Sequence, residues 1–137
     1  MPLLKFHEMN VFDLPLPDFT GKRLALLFFK VDCPHCQREF SSVNRLSIAF
    51  KSDIVFAAIS LSSPQKTKAL LDVNTSRVLV LVDEKAEARN ALGVLEVPAL
   101  YLVNADQTIE YRGIGEQSPE KLRKLFAMFA QNNSPSE

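Results

Sequence analysis

Long hydrophobic runs are missing from this sequence: its uninterrupted apolar stretches, of which Leu24 to Phe29 is typical, fall far short of the ~20 residues a membrane helix needs. An excess of charge is missing as well. Sixteen basic residues balance sixteen acidic ones with no basic run, which argues against nucleic acid or an anionic membrane as the main partner. Met1 to Asn10 hold one base, Lys5, and no apolar segment of the secretory kind. A chain starting at Met1 is therefore expected to be cytoplasmic; one preceded by an export signal or anchor would work in the periplasm or another extracytoplasmic space. Repeats, low-complexity stretches and internal linkers are also missing. Cysteine is nearly so, with two in the whole chain, three positions apart. Closing so short a loop removes little entropy from the unfolded chain, so this pair does not brace a fold and its purpose is chemical.

What is present fits one folded domain. At 137 residues and 47% apolar composition, the chain can close a core without metal or disulfide staples. A single domain over residues 1–137 is expected, with an N-terminal arm over 1–22 and a loose tail over 132–137. The prolines of Phe12-Asp-Leu-Pro-Leu-Pro-Asp-Phe19 suit an edge strand or loop. Leu24 to Phe29 is apolar on both alternating faces, the pattern of a strand buried between two helix layers. Ile54 to Ile59, Arg77 to Val82 and Ala99 to Val103 read as further strands, and Thr108 to Arg112 as the partner of the last across a turn. Cys36, Phe40, Val43, Leu46 and Phe50 recur at helical spacing. Other helices are expected from Ser62-Ser63-Pro64 to about Leu71, from Asp83 to a stop at Gly93, and from Ser118-Pro119-Glu120 through Phe129. Alternating strands and helices imply an α/β fold with a mostly parallel sheet covered on both faces, closed by a hairpin and a terminal helix.

Cys33-Pro34-His35-Cys36 sits where the first strand passes into its helix. At a helix N-terminus, free N–H groups and the helix dipole stabilise a thiolate, the attacking species in disulfide exchange. Cys33 is thus the expected attacking cysteine, and Cys36, one turn in and facing the core, the resolving one. Pro34 fits the first helical turn, where its missing N–H costs nothing. His35 could donate a hydrogen bond or a positive charge to the Cys33 thiolate, making the disulfide more oxidising; Asp32 would act in the opposite sense. Zinc would need four ligands, and beyond the cysteines only His35 and the distant His7 remain, so no metal and no cofactor are expected. Lys30 reads as a solvated residue, and Phe28, Phe29, Phe40, Phe50 and Phe126 as core. Tyr101 and Tyr111 fit half-buried strand positions.

The strand Leu24–Val31, the Cys-Pro-His-Cys turn and the later Glu96-Val97-Pro98-Ala99-Leu100 resemble the thioredoxin superfamily. That resemblance implies a thioredoxin fold, a central mixed sheet of about five strands with helices on both faces and an N-terminal arm or hairpin. It also implies a cis-Pro98 beside the dithiol, with Val97 offering its backbone to an extended peptide. The Pro-His pair is similar to DsbA-type oxidases. The 61-residue gap between Cys36 and Pro98, the Phe12–Lys22 arm and Val97-Pro-Ala-Leu-Tyr-Leu-Val-Asn104 resemble instead the TlpA/ResA-like redoxin branch. Two positions depart from the superfamily: Asp32 stands where Trp is common, and Leu27 where a buried acidic or polar residue is common.

The resemblance implies a monomeric thiol–disulfide oxidoreductase whose partners are protein or small-molecule thiols and disulfides and a further redox protein. Two other readings stand beside it: a redoxin-type thiol peroxidase and a non-enzymatic thioredoxin-like binding module. Peroxidatic sites resemble Pro-x-x-x-Thr-x-x-Cys, whereas Phe29-Lys30-Val31-Asp32 precedes Cys33. Intact paired cysteines disfavour a purely binding role.

Overall fold

The computed structural model describes residues 10–11, 21–73 and 76–131. Its centre is a six-stranded sheet in the order β1-β4-β3-β2-β5-β6. The strands are β1 (Asn10–Val11), β2 (Leu24–Phe29), β3 (Val55–Ser60), β4 (Leu79–Val82), β5 (Ala99–Val103) and β6 (Ile109–Ile114). The helices are α1 (Pro34–Phe50), α2 (Pro64–Val73), α3 (Glu87–Leu92) and α4 (Pro119–Gln131). β2, β3 and β4 pair in parallel, while β5 runs antiparallel to β2, and β6 to β5. The five longer strands make the expected mixed sheet. The sixth, β1, is a two-residue pairing of the arm with Leu81 and Val82 at the β4 edge. The rest of the arm through residue 20, His7 included, and the tail over 132–137 lie outside the described residues.

β2 occupies the middle because every one of its six residues is buried. Its odd positions, Ala25, Leu27 and Phe29, join a core with Phe40, Val43, Leu46, Leu122, Phe126 and Phe129, placing α1 and α4 on one face. Leu70 and Leu71 of α2 pack on that core too, since β2–α1–β3 and β3–α2–β4 step the same way across the sheet. The even positions, Leu24, Leu26 and Phe28, meet Ala88 and Leu92 of α3 on the opposite face. Continuous apolarity in a strand reports two covered faces. Both are covered here.

Several boundaries differ from the sequence reading for identifiable reasons. β4 begins at Leu79 rather than Arg77, because the Arg77 N–H donates to the Asn44 side chain instead of joining the sheet. Asp83 does cap a helix, but from a distance. Its carboxylate accepts from the Ala88 and Arg89 N–H groups (3.2 and 2.9 Å), while residues 84–86 turn before α3 starts at Glu87. Gly93 ends that helix in the left-handed region (φ 67°), as its lack of a Cβ permits. Tyr101 is fully buried rather than half-buried: its ring packs edge-on against Phe28 and its hydroxyl donates to the Leu92 carbonyl. Among the core phenylalanines only Phe50 keeps partial exposure.

Phe126 ties the terminal helix to the sheet, with edge contacts to Phe50 and Phe56 at ring separations of 6.0 and 5.1 Å. Phe126→Ala should therefore cost about 3–5 kcal/mol of unfolding free energy, measured by urea titration. A loss under ~1 kcal/mol would mean that α4 is not part of the cooperative core.

Candidate dithiol site

Three loops meet at one end of the sheet, and the strand register puts them there. Phe28 pairs with Ala99 and Ala99 with Ile114, so the segments after Phe29, before Ala99 and after Ile114 are neighbours. They carry Cys33, Pro98 and Glu116. The first turn is fastened from two sides: the Val31 N–H donates to the Ser62 hydroxyl (3.0 Å), and the Gln37 side chain donates to the Val31 carbonyl (2.6 Å). The Val97–Pro98 peptide is cis, and the Gly115 N–H donates to the Pro98 carbonyl at 2.8 Å. Val97 is partly buried and touches the cores on both faces of the sheet.

Cys33 is the N-cap of α1, with extended backbone (φ −102°, ψ 115°), and Pro34 occupies the first turn. The Cys33 Sγ accepts a hydrogen bond from the Cys36 N–H at 3.3 Å, the cap position that favours negative charge on sulfur. Both cysteines are free thiols; Cys33 is partly exposed and Cys36 completely buried. Burial, followed by the hydrogen bond with Cys33, pushes the Cys36 thiol up to about 12. One sulfur thus faces solvent and the other holds its proton tightly inside.

His35 does not bond to Cys33. Its Nδ1 lies 2.9 Å from the Glu116 carboxylate and 3.0 Å from Arg38 Nη2. Arg38 donates to Glu116 through Nε and Nη2 at 2.9–3.0 Å. These bonds from Arg38 first, then His35, hold the Glu116 carboxyl down at about 2. Asp32 and Lys30 are exposed, and Asp32 sits 3.9 Å from Lys66 of α2.

Sequence reasoning looked for a buried acid at the Leu27 position and missed the one that is present. Glu39, one turn beyond Cys36 on α1, is completely buried. Burial raises its carboxyl to about 7, and its charge in turn disfavours the Cys36 thiolate. Oε1 accepts the Gln117 N–H at 2.8 Å, while Oε2 has no hydrogen-bond partner among the described residues. Gln117 is itself held by the Tyr111 hydroxyl, which donates to its side-chain oxygen at 2.9 Å. Gly113 leaves room for that pair, because a Cβ there would come within 2.3 Å of Gln117 Nε2 and 2.8 Å of the Tyr111 oxygen. The signal for Glu39 lay in the helix stripe. Position 39 falls between Cys36 and Val43 on the inward face, where a carboxylate needs a reason.

Residues 2–112 match the profile of the AhpC/TSA family. The chain belongs to the AhpC/TSA family. It is 27% identical over 116 residues to the thiol-disulfide oxidoreductase ResA of Bacillus thuringiensis subsp. konkukian, covering 82% of this chain and 66% of that protein. It is 23% identical over 117 residues to the sporulation thiol-disulfide oxidoreductase A of Bacillus subtilis, covering 82% and 70%. The chain thus spans about two thirds of the length of these curated relatives. Among solved structures, the thiol-disulfide isomerase of Corynebacterium glutamicum superposes with a TM-score of 0.79 at 16% identity, over 96% of this chain and 97% of that one. The fold is the thioredoxin fold, and within the family the chain is of the TlpA/ResA-like kind.

Among the described residues, no helix is long and apolar enough to cross a membrane, and no three His, Cys, Asp or Glu side chains gather as a metal site.

The raised Glu39 carboxyl links stability to pH with a definite sign. Its folded value, about 7, lies above the ordinary 4.5, so the folded dithiol protein binds a proton that the unfolded chain releases. This contribution is full below pH ~4.5 and is lost as pH rises through about 7. Glu39→Gln, which keeps an oxygen to accept the Gln117 N–H, should remove it. Urea unfolding under reducing conditions should show the variant gaining on the order of 2–3 kcal/mol relative to wild type between pH 5 and pH 8. Parallel stability curves for the two proteins would contradict the assignment.

Proposed function

We propose that this chain is a thiol–disulfide oxidoreductase that donates electrons from the Cys33/Cys36 dithiol to disulfides of protein substrates. The observation that carries the reading is the pairing of a partly exposed, helix-capping Cys33 with a buried Cys36 beside the buried acid Glu39.

The steps follow from that asymmetry. The Cys33 thiolate attacks one sulfur of a substrate disulfide, forming a mixed disulfide and releasing the other sulfur as a thiolate that takes a proton. Cys36 must then lose its tightly held proton. Glu39 is the nearby base, and a carboxyl raised to about 7 is part ionised at neutral pH, as an acceptor should be. The Cys36 sulfur attacks Cys33 Sγ, closes the Cys33–Cys36 disulfide and expels the second substrate thiolate. Two electrons and two protons pass to the substrate. A separate redox protein returns the pair to the dithiol.

Val97 and Pro98 supply the docking edge, with the Val97 backbone offered to an extended substrate segment. Pro34 sets the first helical turn. His35 is turned toward Glu116 and lends the Cys33 sulfur no hydrogen bond, and the Glu39 charge disfavours the Cys36 thiolate; both support a reductant over a strong oxidant. The protein acts as a monomer in this scheme.

Cys36→Ser should accumulate mixed disulfides through Cys33 with an oxidised protein such as insulin, seen as adducts on non-reducing gels, while wild type reduces insulin and accumulates none. Equilibration of wild type with glutathione should give a potential nearer ~−270 mV than ~−120 mV. No trapped adduct and no insulin reduction would sink the function; a potential near the upper figure would sink only the direction. Peroxide consumption outpacing disulfide reduction would favour the peroxidase reading, and the lack of any reversible two-electron couple the binding-module reading.

A further inference from the structure

The side chains around the dithiol divide into a buried set, Cys36 and Glu39, and a surface set, His35, Arg38 and Glu116. The mechanism uses the first and leaves the second idle. His35 and Arg38 are both on the first turns of α1, beside the helix-capping Cys33, and both could bring positive charge to its sulfur. Neither bonds to it. Glu116 reaches across from the segment between β6 and α4 and binds both, at 2.9 Å to the His35 ring and 2.9–3.0 Å to the Arg38 guanidinium.

We propose that Glu116 is a positioning residue that sets the reducing strength of the dithiol: its carboxylate captures His35 and Arg38 and neutralises the positive charge they would otherwise bring to the Cys33 thiolate. The inference rests on the dithiol reading above and assigns Glu116 a role within it. The Arg38 titration is raised chiefly by its hydrogen bonds to Glu116 and the charge of that carboxylate, and to a lesser degree by a Cys33 thiolate, so the guanidinium and that sulfur sense one another. The linkage is mutual: what Cys33 does for the guanidinium, an unneutralised guanidinium does for the thiolate. A disulfide becomes a stronger oxidant as its reduced, thiolate form is stabilised. By neutralising the Arg38 guanidinium and holding His35 away from the sulfur, Glu116 keeps the couple reducing, although Pro-His would otherwise pull it the other way.

The remaining charges at this end of the sheet do not replace Glu116. Asp32 is exposed and faces Lys66 of α2, Lys30 and Glu96 are exposed, and Glu39 is buried against the Gln117 N–H. Glu116 also sits next to Gln117, so its loss could act by shifting the N–H that holds Glu39. That route is structural and must be separated from the charge effect.

The test compares Glu116→Gln with wild type in two readouts, the rate of Cys33 alkylation by iodoacetamide as a function of pH and the equilibrium constant with glutathione. Glu116→Gln should alkylate roughly threefold or more faster at pH 6, and its equilibrium should move by about the same factor toward the dithiol, as one uncovered charge near a surface sulfur would give. Glu116→Asp, which keeps the charge, should return both readouts toward wild type. Arg38→Ala combined with Glu116→Gln should reverse most of the shift, because the uncovered cation is gone. The shift should persist when Glu116→Gln is made in the Glu39→Gln background; its disappearance there would assign the effect to Gln117 and overturn the proposal. Unmoved readouts in Glu116→Gln would overturn it as well. A wild type without a reversible couple would instead defeat the dithiol reading itself.

Discussion

The whole arrangement hangs on β2 being buried on both faces and paired on both edges. A strand with Leu24, Leu26 and Phe28 to one side and Ala25, Leu27 and Phe29 to the other needs helices above and below it, and β3 and β5 beside it. The parallel β3 forces a crossover helix, which is α1, and the antiparallel β5 brings the cis-Pro98 segment to the end where α1 begins. Cys33 is therefore placed by the strand that precedes it, not by its own chemistry. The site is the end of a strand buried on both faces and paired on both edges, which suits it to hold its geometry through the covalent step proposed for it.

Two glutamates, adjacent to one another through Gln117, are pushed in opposite directions by that placement. Glu39 points into the core and is driven up to about 7 by burial; Glu116 points outward onto Arg38 and His35 and is driven down to about 2. The first is therefore part ionised at neutral pH and the second stays charged. The same three-residue segment after Ile114 serves both, through the Gln117 N–H and the Glu116 carboxylate. Gly113 and Tyr111 hold this segment in place, so β6, which contributes no reacting atom, shapes the chemistry.

Much of this was legible in the chain itself. The buried strands, the helix opening at Pro34 and the dithiol at the strand–helix junction follow from periodicity and from the position of Cys-Pro-His-Cys, and the thioredoxin-type arrangement from the resemblance those segments carry. Boundaries were lost where side chains outcompeted the local pattern, as when Asn44 takes the Arg77 N–H and Asp83 caps α3 across a turn. The larger loss was in the polar layer. His35 reads as a partner of Cys33 because the two are close in sequence, but Glu116, 81 positions away, binds it instead. Periodicity identifies which residues face inward and is silent about which distant charge meets them.

Glu39 shows what such a layer costs and why the cost is informative. A carboxyl with no exposure, one bonded oxygen and one unbonded oxygen is an expensive thing to bury. A methionine or glutamine of similar size would pack on that inward face at less expense. Burying Cys36 is cheap while it stays a thiol, and expensive at the instant it must become a thiolate. Each of the two groups is awkward alone; in the proposed mechanism they exchange one proton within a single helical turn, so that the core holds one negative charge at a time and never two. An ionised Glu39 would give the Cys36 proton a place to go, which is the use the proposed reaction makes of an acid that packing alone does not call for.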